Sequence, residues 1–282
     1  MQENQTQAAL PLFAAIQLNT SNSVEENLNT AHKQLKLAAE QGADCAVLPE
    51  TFAWMGNDKD ASSSAEYEGT GKIQQYLSKT ANDLNIWIIG GSNRIKHKND
   101  SRYTNTTLVY DTHGKQCARY DKIHLFDAQV NDGSPYLESD TFKAGTSLGL
   151  VDMGFVKIGL TICYDLRFPA LYATLANQGV DIIVVPAAFT VPTGRAHWET
   201  LLRARAIENQ VYIIAPAQTG THSHGRKTWG HSLCIDPWGE IISEQTQGTG
   251  NIYCQFDAEK LNKLRHEMPI KHHHRPECYK IS

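Results

Sequence analysis

One short stretch constrains this chain more than any other: Gly159-Leu160-Thr161-Ile162-Cys163-Tyr164-Asp165-Leu166-Arg167-Phe168-Pro169. The run before it, Phe155 to Ile162, is apolar and rich in β-formers, which predicts a buried strand. After it, Phe168, Leu171, Tyr172 and Leu175 recur at helical spacing, and Pro169 falls in a first turn, where its missing N–H costs nothing. Cys163 is therefore expected at a strand-to-helix corner, standing proud of a sheet, with free N–H groups of the helix start beside it. That placement suits a nucleophile. A free cysteine is more often a buried and inert one, so the stretch alone leaves both readings open.

The rest of the chain sets the frame for that corner. Apolar strand-like runs at Leu12–Leu18, Cys45–Leu48, Ile86–Gly91, Asp181–Val185, Val211–Ala215 and Asn251–Phe256 alternate with amphipathic segments. Val24, Leu28, Ala31, Leu35 and Ala38 share one helical face behind a capping box of Ser23 and Glu26. Ile73, Tyr76, Leu77 and Leu84 mark a second helix, a third runs from about residue 195 to 209, and a short one spans 258–265. Two hairpins are expected, Thr104–Tyr110 with Gln116–Tyr120 and Trp229–Ile235 with Glu240–Ser243. Residues 53–69 and Asn131–Pro135 read as loops. No Gly/Ser linker divides the 282 residues. The expectation is an α/β fold with two sheets inside and helices outside, in one domain over residues 10–282 behind a flexible leader, residues 1–9.

Composition narrows the function. The net charge of −4 comes with no basic stripe, which argues against nucleic acid as a partner. No apolar run approaches the ~18 residues that read as a membrane helix, and the polar start lacks the regions of a secretory signal. Six cysteines are scattered without a CxxC pair, which predicts free thiols in a reducing compartment, the cytoplasm.

Three chemistry-bearing residues share a location with respect to strands. Glu50 follows Val47-Leu48-Pro49, Lys122 follows Arg119-Tyr120-Asp121, and Cys163 follows Leu160-Thr161-Ile162. Sites in open α/β sheets gather at strand ends. A carboxylate can take a thiol proton, and an ammonium can hold an oxyanion and lower the thiol pKa. Glu50 or Lys122 by itself is more often a solvated surface charge.

At this point Leu48-Pro49-Glu50, Tyr120 to Asp127 and Ile162 to Pro169 resemble the carbon–nitrogen hydrolase (nitrilase) superfamily, and within it the Nit-type amidases. The resemblance extends to Thr193-Gly194-Arg195-Ala196-His197-Trp198-Glu199, Arg203 to Asn209 and Gly230 to Gly239, and covers about residues 10–279. It implies a four-layer αββα sandwich and a Glu50–Lys122–Cys163 triad, with Glu138 in Tyr136-Leu137-Glu138-Ser139 as a second glutamate. It also implies a homodimer, with the helices after Cys163 and around 195–209 as candidate interface. The reaction expected is hydrolysis of a small keto-acid amide through a Cys163 thioester, releasing ammonia or an amine, with no metal or organic cofactor. Lys122 and the Tyr164 N–H would hold the oxyanion.

Two substrates compete on this reading: deaminated glutathione, and an ω-amide such as 2-oxoglutaramate. The stretch Ala217–Lys227 resembles the first type more. Both carry a carboxylate beside a keto group, for which Arg167, Arg195 or Arg226 could supply a bidentate guanidinium. Trp54, Phe126, Phe189 and Thr190 complete the expected substrate-binding set. The rival class is a catalytically silent binding or scaffold protein on the same fold, since fold alone does not give function.

His272-His273-His274 suggests a metal site, but adjacent histidines in an extended run face opposite ways. His222 and His224 lack further ligands for zinc. Gly90-Gly91 lacks the dinucleotide-binding pattern.

Overall fold

The computed structural model describes residues 9–56, 62, 64–130 and 135–278. Most of the leader, part of the 53–69 loop and residues 131–134 of the Asn131–Pro135 loop therefore lie outside the described residues. Two sheets form the centre. The first runs in the order Gly250–Gln255, Leu12–Gln17, Cys45–Val47, Trp87–Ile89, Asp100–Tyr110, Asn93–His97, Glu66–Tyr67, and Gln116–Asp121 also pairs with Asp100–Tyr110. The second runs Gly149–Asp152, Lys157–Leu160, Ile182–Val184, Tyr212–Ala215, Ser232–Ile235, Ile241–Gln245.

Side-chain alternation shows how the layers stack. Phe13, Ala15, Cys45, Val47, Ile89 and Val109 of the first sheet share one buried cluster with Ile158, Leu160, Ile182, Val184, Tyr212 and Ile214 of the second. The intervening residues Ala14, Ile16, Ala46, Leu48, Ile88 and Leu108 pack instead with Leu28, Leu35, Ile73 and Leu77 of the Val24–Glu40 and Lys72–Leu84 helices. On the far side Ile183, Val185, Ile213 and Leu233 meet Leu171, Leu175, Trp198 and Leu202 of the Pro169–Asn177 and Val191–Asn209 helices. Each central strand is thus buried on both faces, which is why it reads as a continuous apolar run. The result is the expected αββα sandwich.

Several local expectations are refined. Ser23 caps its helix by accepting from the Glu26 N–H, but the Glu26 carboxylate takes the Ser21 hydroxyl, so the reciprocal half of the capping box does not form. The third helix begins at Val191, four residues early, because Thr190 caps it and Pro192 fits its first turn. Gly194, an apparent helix breaker, is required there: a Cβ would stand 2.3 Å from the Trp229 side chain. Trp229–Ile235 is two strands rather than one, broken where Gly230 and His231 take positive φ. His272 and His273 end a single helical turn, Ile270–His273, rather than an extended run. Asn93–His97 and the small hairpin Asp127–Gln129 with Pro135–Leu137 are strands that periodicity did not reveal.

Strand direction positions the chemistry. Leu12–Gln17, Cys45–Val47 and Trp87–Ile89 are parallel, and so are Lys157–Leu160, Ile182–Val184 and Tyr212–Ala215. Gln116–Asp121 is antiparallel to Asp100–Tyr110, itself antiparallel to Trp87–Ile89, and so runs with the parallel set. The residues after Val47, Asp121 and Leu160 all emerge at carboxyl ends of strands.

Candidate active site

Glu50, Lys122, Glu138 and Cys163 line one cavity of about 350 Å³. Glu50 arrives there because Leu48 and Pro49 carry the chain off the sheet under Gly91, where a Cβ would stand 2.0 Å from the Pro49 carbonyl oxygen. Gly91 also holds φ at +53°, a region open to glycine at little cost. Lys122 is fixed at both ends of its backbone unit: its N–H donates to the Asn105 carbonyl at 2.9 Å, and its carbonyl accepts from the Gly145 N–H at 2.8 Å.

The Lys122 ammonium is 2 % exposed, and it donates to Glu50 Oε1 at 3.0 Å and to Glu138 Oε1 and Oε2 at 2.9 and 2.8 Å. Asn105 Nδ2 bridges the same two carboxylates, donating at 3.0 Å to Glu50 and 3.3 Å to Glu138. The Phe126 N–H donates to Glu138 Oε2 at 2.6 Å. Every Lys122 donor thus faces an acceptor, as a buried ion requires.

Cys163 begins a 3₁₀ turn, Cys163–Arg167, with φ +49°, and the helix starts only at Pro169. The corner therefore has a tight turn between strand and helix, where the sequence suggested direct passage. A left-handed backbone is costly for a residue bearing a Cβ, and such strain concentrates at functional positions. The Cys163 N–H donates to the Pro186 carbonyl at 2.9 Å, which ties the turn to the end of the neighbouring strand. Asp165, fully buried, holds the turn from below. Its Oδ2 accepts from the Ile162 N–H at 2.8 Å and the Tyr120 hydroxyl at 2.7 Å, and its Oδ1 accepts from the His124 N–H at 3.1 Å. One carboxylate thereby couples the Cys163 turn to the segment carrying Lys122. Neither Asp165 nor Asn105 stood out in the sequence, since a carboxylate in a turn and an amide in a strand carry no signal of their own.

The electrostatics correct one expectation. Burial, then the adjacent Glu50 carboxylate, push the Cys163 thiol well above its ordinary value; Lys122 pulls it down but does not win. Lys122 spends its charge on two carboxylates, so it does not pre-ionise the sulfur. Burial pushes Glu50 up, but the Lys122 ammonium and the hydrogen bond from the Cys163 thiol outweigh it and leave the carboxyl below the usual glutamate range. Burial disfavours the Lys122 charge, yet Glu138 and Glu50 more than reverse this and hold its pKa above that of an ordinary lysine. The resting state is a neutral thiol beside an ionised carboxylate, with a fixed cation alongside. This arrangement can deliver a thiolate at the moment of attack and take the proton in the same step.

Trp54, Phe126, Tyr164, Arg167, Phe189 and Thr190 also line the cavity. Arg195 does not. It sits on the first turns of its helix with its guanidinium 5.7 Å from the centroid of Trp229, on the face that Gly194 turns to the same ring. Arg226 lines the cavity in its place. Among the described residues, no cluster of three or more His, Cys, Asp or Glu is arranged to hold a metal ion, and no helix is long and apolar enough to cross a membrane.

Residues 12–266 match the carbon–nitrogen hydrolase family. The chain belongs to that family. It is a cysteine-dependent carbon–nitrogen hydrolase on the nitrilase αββα sandwich. The hydrolase is 40 % identical over 265 residues to deaminated glutathione amidase of Synechocystis sp., covering 93 % of this chain and 97 % of that one. It is 39 % identical to deaminated glutathione amidase of Yersinia enterocolitica, covering 93 % and 92 %. Among solved structures it superposes on Saccharomyces cerevisiae Nit3, a member of branch 10 of the nitrilase superfamily, with a TM-score of 0.83 at 28 % identity, covering 93 % and 95 %.

Proposed function

We propose that this hydrolase cleaves deaminated glutathione to 2-oxoglutarate and cysteinylglycine, with Glu50, Lys122 and Cys163 as the catalytic triad and Glu138 as their companion. The observation that carries the chemistry is that Cys163 shares one cavity with a buried Glu50 carboxylate that also holds the Lys122 ammonium at 3.0 Å. The substrate rests on the full-length similarity to enzymes of that name. A cavity of about 350 Å³ is at the lower end of the range that takes small organic ligands.

In this mechanism Glu50 takes the thiol proton as Cys163 Sγ bonds to the amide carbon. The developing oxyanion is met by Lys122 and the Tyr164 N–H. The carbon–nitrogen bond then breaks as Glu50 returns the proton to the amine, which leaves as cysteinylglycine. Water attacks the thioester and gives its proton to Glu50. The carbon–sulfur bond breaks, and the sulfur is reprotonated. Glu138 keeps Lys122 charged and in place. Arg167, whose Cζ lies 5.8 Å from the centroids of Tyr164 and Phe189, is suited to the 2-oxo acid carboxylate on the acyl side.

The same reading takes residues 10–282 as one domain and the protein as a homodimer working in the cytoplasm. All six cysteines are unpaired, including exposed Cys117 and Cys278, which suits a reducing compartment. The Val191–Asn209 helix leaves Ile207 exposed, and that helix is the candidate interface. The test of function is kcat/KM for deaminated glutathione against 2-oxoglutaramate. Preference for the former by about tenfold or more is expected, and a strong preference for 2-oxoglutaramate overturns the substrate.

A further inference from the structure

Three arginines line the cavity: Arg94, buried with its guanidinium 4.5 Å from the centroid of Trp54, and Arg167 and Arg226 from two other elements. Arg167 comes from the turn after Cys163 and lies over Tyr164 and Phe189. Arg226 comes from the connection between Thr219–Thr221 and Lys227–Trp229, and its guanidinium stands 5.5 Å from the centroid of Tyr136, two residues before Glu138. Arg226 is exposed while Glu50 and Lys122 are buried, so it stands at the mouth of the cavity, beside Tyr136 and the Ala188 carbonyl, where the part of a substrate that extends outward would pass. Its charge is felt at Glu50, where it helps hold the carboxyl down. Glu50 is the group that hands a proton to the departing amine in the mechanism above.

The connection that presents Arg226 is built to stay put. His222 is buried and bonds at both ring nitrogens, Nδ1 to the Thr20 carbonyl at 2.9 Å and Nε2 to Thr228 Oγ1 at 2.6 Å. Its backbone N–H donates to the Arg226 carbonyl at 2.8 Å, and the Gly225 N–H returns to the His222 carbonyl at 3.1 Å. The Ser223 hydroxyl accepts from the Asn22 N–H at 3.1 Å. The Arg226 side chain itself stays exposed, and its Nη2 makes a long 3.4 Å bond to the Ala188 carbonyl. A rigid base under an accessible guanidinium is the arrangement for capturing a planar anion at low entropic cost.

We propose that Arg226 is a specificity-determining residue that binds a carboxylate carried by the leaving amine, so that the enzyme selects amides of acidic peptides over amides whose leaving amine bears no charge. This deepens the function proposed above and rests on it. With Arg167 facing the acyl portion, the cavity would hold an amide charged at both ends, its scissile bond over Cys163.

The test pairs one substitution with one change in substrate. Deaminated glutathione is compared with its analogue carrying a C-terminal carboxamide, on the wild type, Arg226→Gln and Arg226→Lys. A charge-assisted hydrogen bond is worth ~1.5–3 kcal/mol, so the wild type should prefer the acid by roughly 10- to 100-fold in kcat/KM, mostly through KM. In R226Q this preference should fall to within about 2-fold, and R226K should retain part of it. A wild type indifferent to the carboxamide, or an R226Q enzyme that keeps the full preference, overturns the assignment. Failure of the wild type to cleave deaminated glutathione at all would instead strike the function on which it rests. Arg226 is exposed and makes one weak polar contact, so the substituted chains should fold, and their Tm values check this.

Discussion

Lys122 meets both oxygens of Glu138, at 2.9 and 2.8 Å, while a single oxygen of Glu50 accepts from the same ammonium at 3.0 Å. The cation is anchored by Glu138 and shared with Glu50. That division leaves Glu50 free to exchange a proton with Cys163 without releasing the lysine. It also explains why Lys122 does not ionise the sulfur in the resting state: its field is largely compensated before it reaches the thiol.

Removing the sulfur separates chemistry from fold. Cys163→Ala should abolish release of cysteinylglycine while leaving the unfolding free energy from urea titration within ~1 kcal/mol of the wild type, since the side chain is small and half-buried. Turnover by the purified variant above the uncatalysed rate would remove Cys163 as nucleophile.

Glu50→Gln keeps the shape and removes the base. Burial, the largest cause of the raised thiol pKa, persists in this variant, so little thiolate forms without a proton acceptor beside the sulfur. Single-turnover acylation should slow by at least ~10²- to 10⁴-fold. A loss confined to KM would contradict the assignment.

Glu138→Gln tests the anchor. The Lys122 ammonium loses its bidentate partner, and the Phe126 N–H loses its ionised acceptor. The expected result is a kcat lower by roughly 10- to 100-fold with a smaller change in KM, the pattern of a group that acts on the transition state through another. Unchanged kcat would show that Asn105 and Glu50 suffice to hold the lysine.

The pH profile follows from the directions of the shifts. The proposed mechanism requires Glu50 ionised, and its pKa lies below the ordinary value, so the acid limb of kcat/KM should fall below pH ~4.3. Lys122 is held above ~10.4 and Cys163 well above ~8.5, so no alkaline limb from either should appear before pH ~9. Stability follows the same signs. The Glu50 contribution is complete above ~4.3 and is lost as pH falls through its depressed folded value. The Lys122 contribution is complete below ~10.4 and is lost as pH rises through its raised one. Urea denaturation and initial rates across pH ~3–11 check both, and an alkaline limb near neutrality would contradict the resting thiol.

Asp165→Ala should destabilise the fold by about 3 kcal/mol or more, because it leaves the Ile162 N–H, the His124 N–H and the Tyr120 hydroxyl without their buried acceptor. Gly91→Ala should act on the other arm of the site. Its Cβ would overlap the Pro49 carbonyl and force φ out of the left-handed region, displacing Glu50, so that kcat drops along with Tm. A Gly91→Ala enzyme with native kcat would show that the Pro49–Glu50 link is not constrained from that side.

The layers were legible in the primary chain, because strands buried on both faces must be written as apolar runs and their helices as one-sided stripes. Val47, Ile89, Leu160 and Val184 declared themselves in this way. The primary chain also marked Glu50, Lys122 and Cys163 as chemically exceptional residues following strands. Tertiary structure decided what periodicity cannot encode. That Asp121, Val47 and Leu160 end on compatible sides depends on two successive antiparallel pairings, which no local pattern records. A glycine stands in the first turn of the Val191–Asn209 helix because Trp229 arrives from a distant strand, and Arg195 beside it lies over the same ring, off the cavity that Arg226 lines. The protonation of Cys163 was likewise decided in three dimensions, since burial and the competition of two carboxylates for one ammonium exist only after the chain has closed around them.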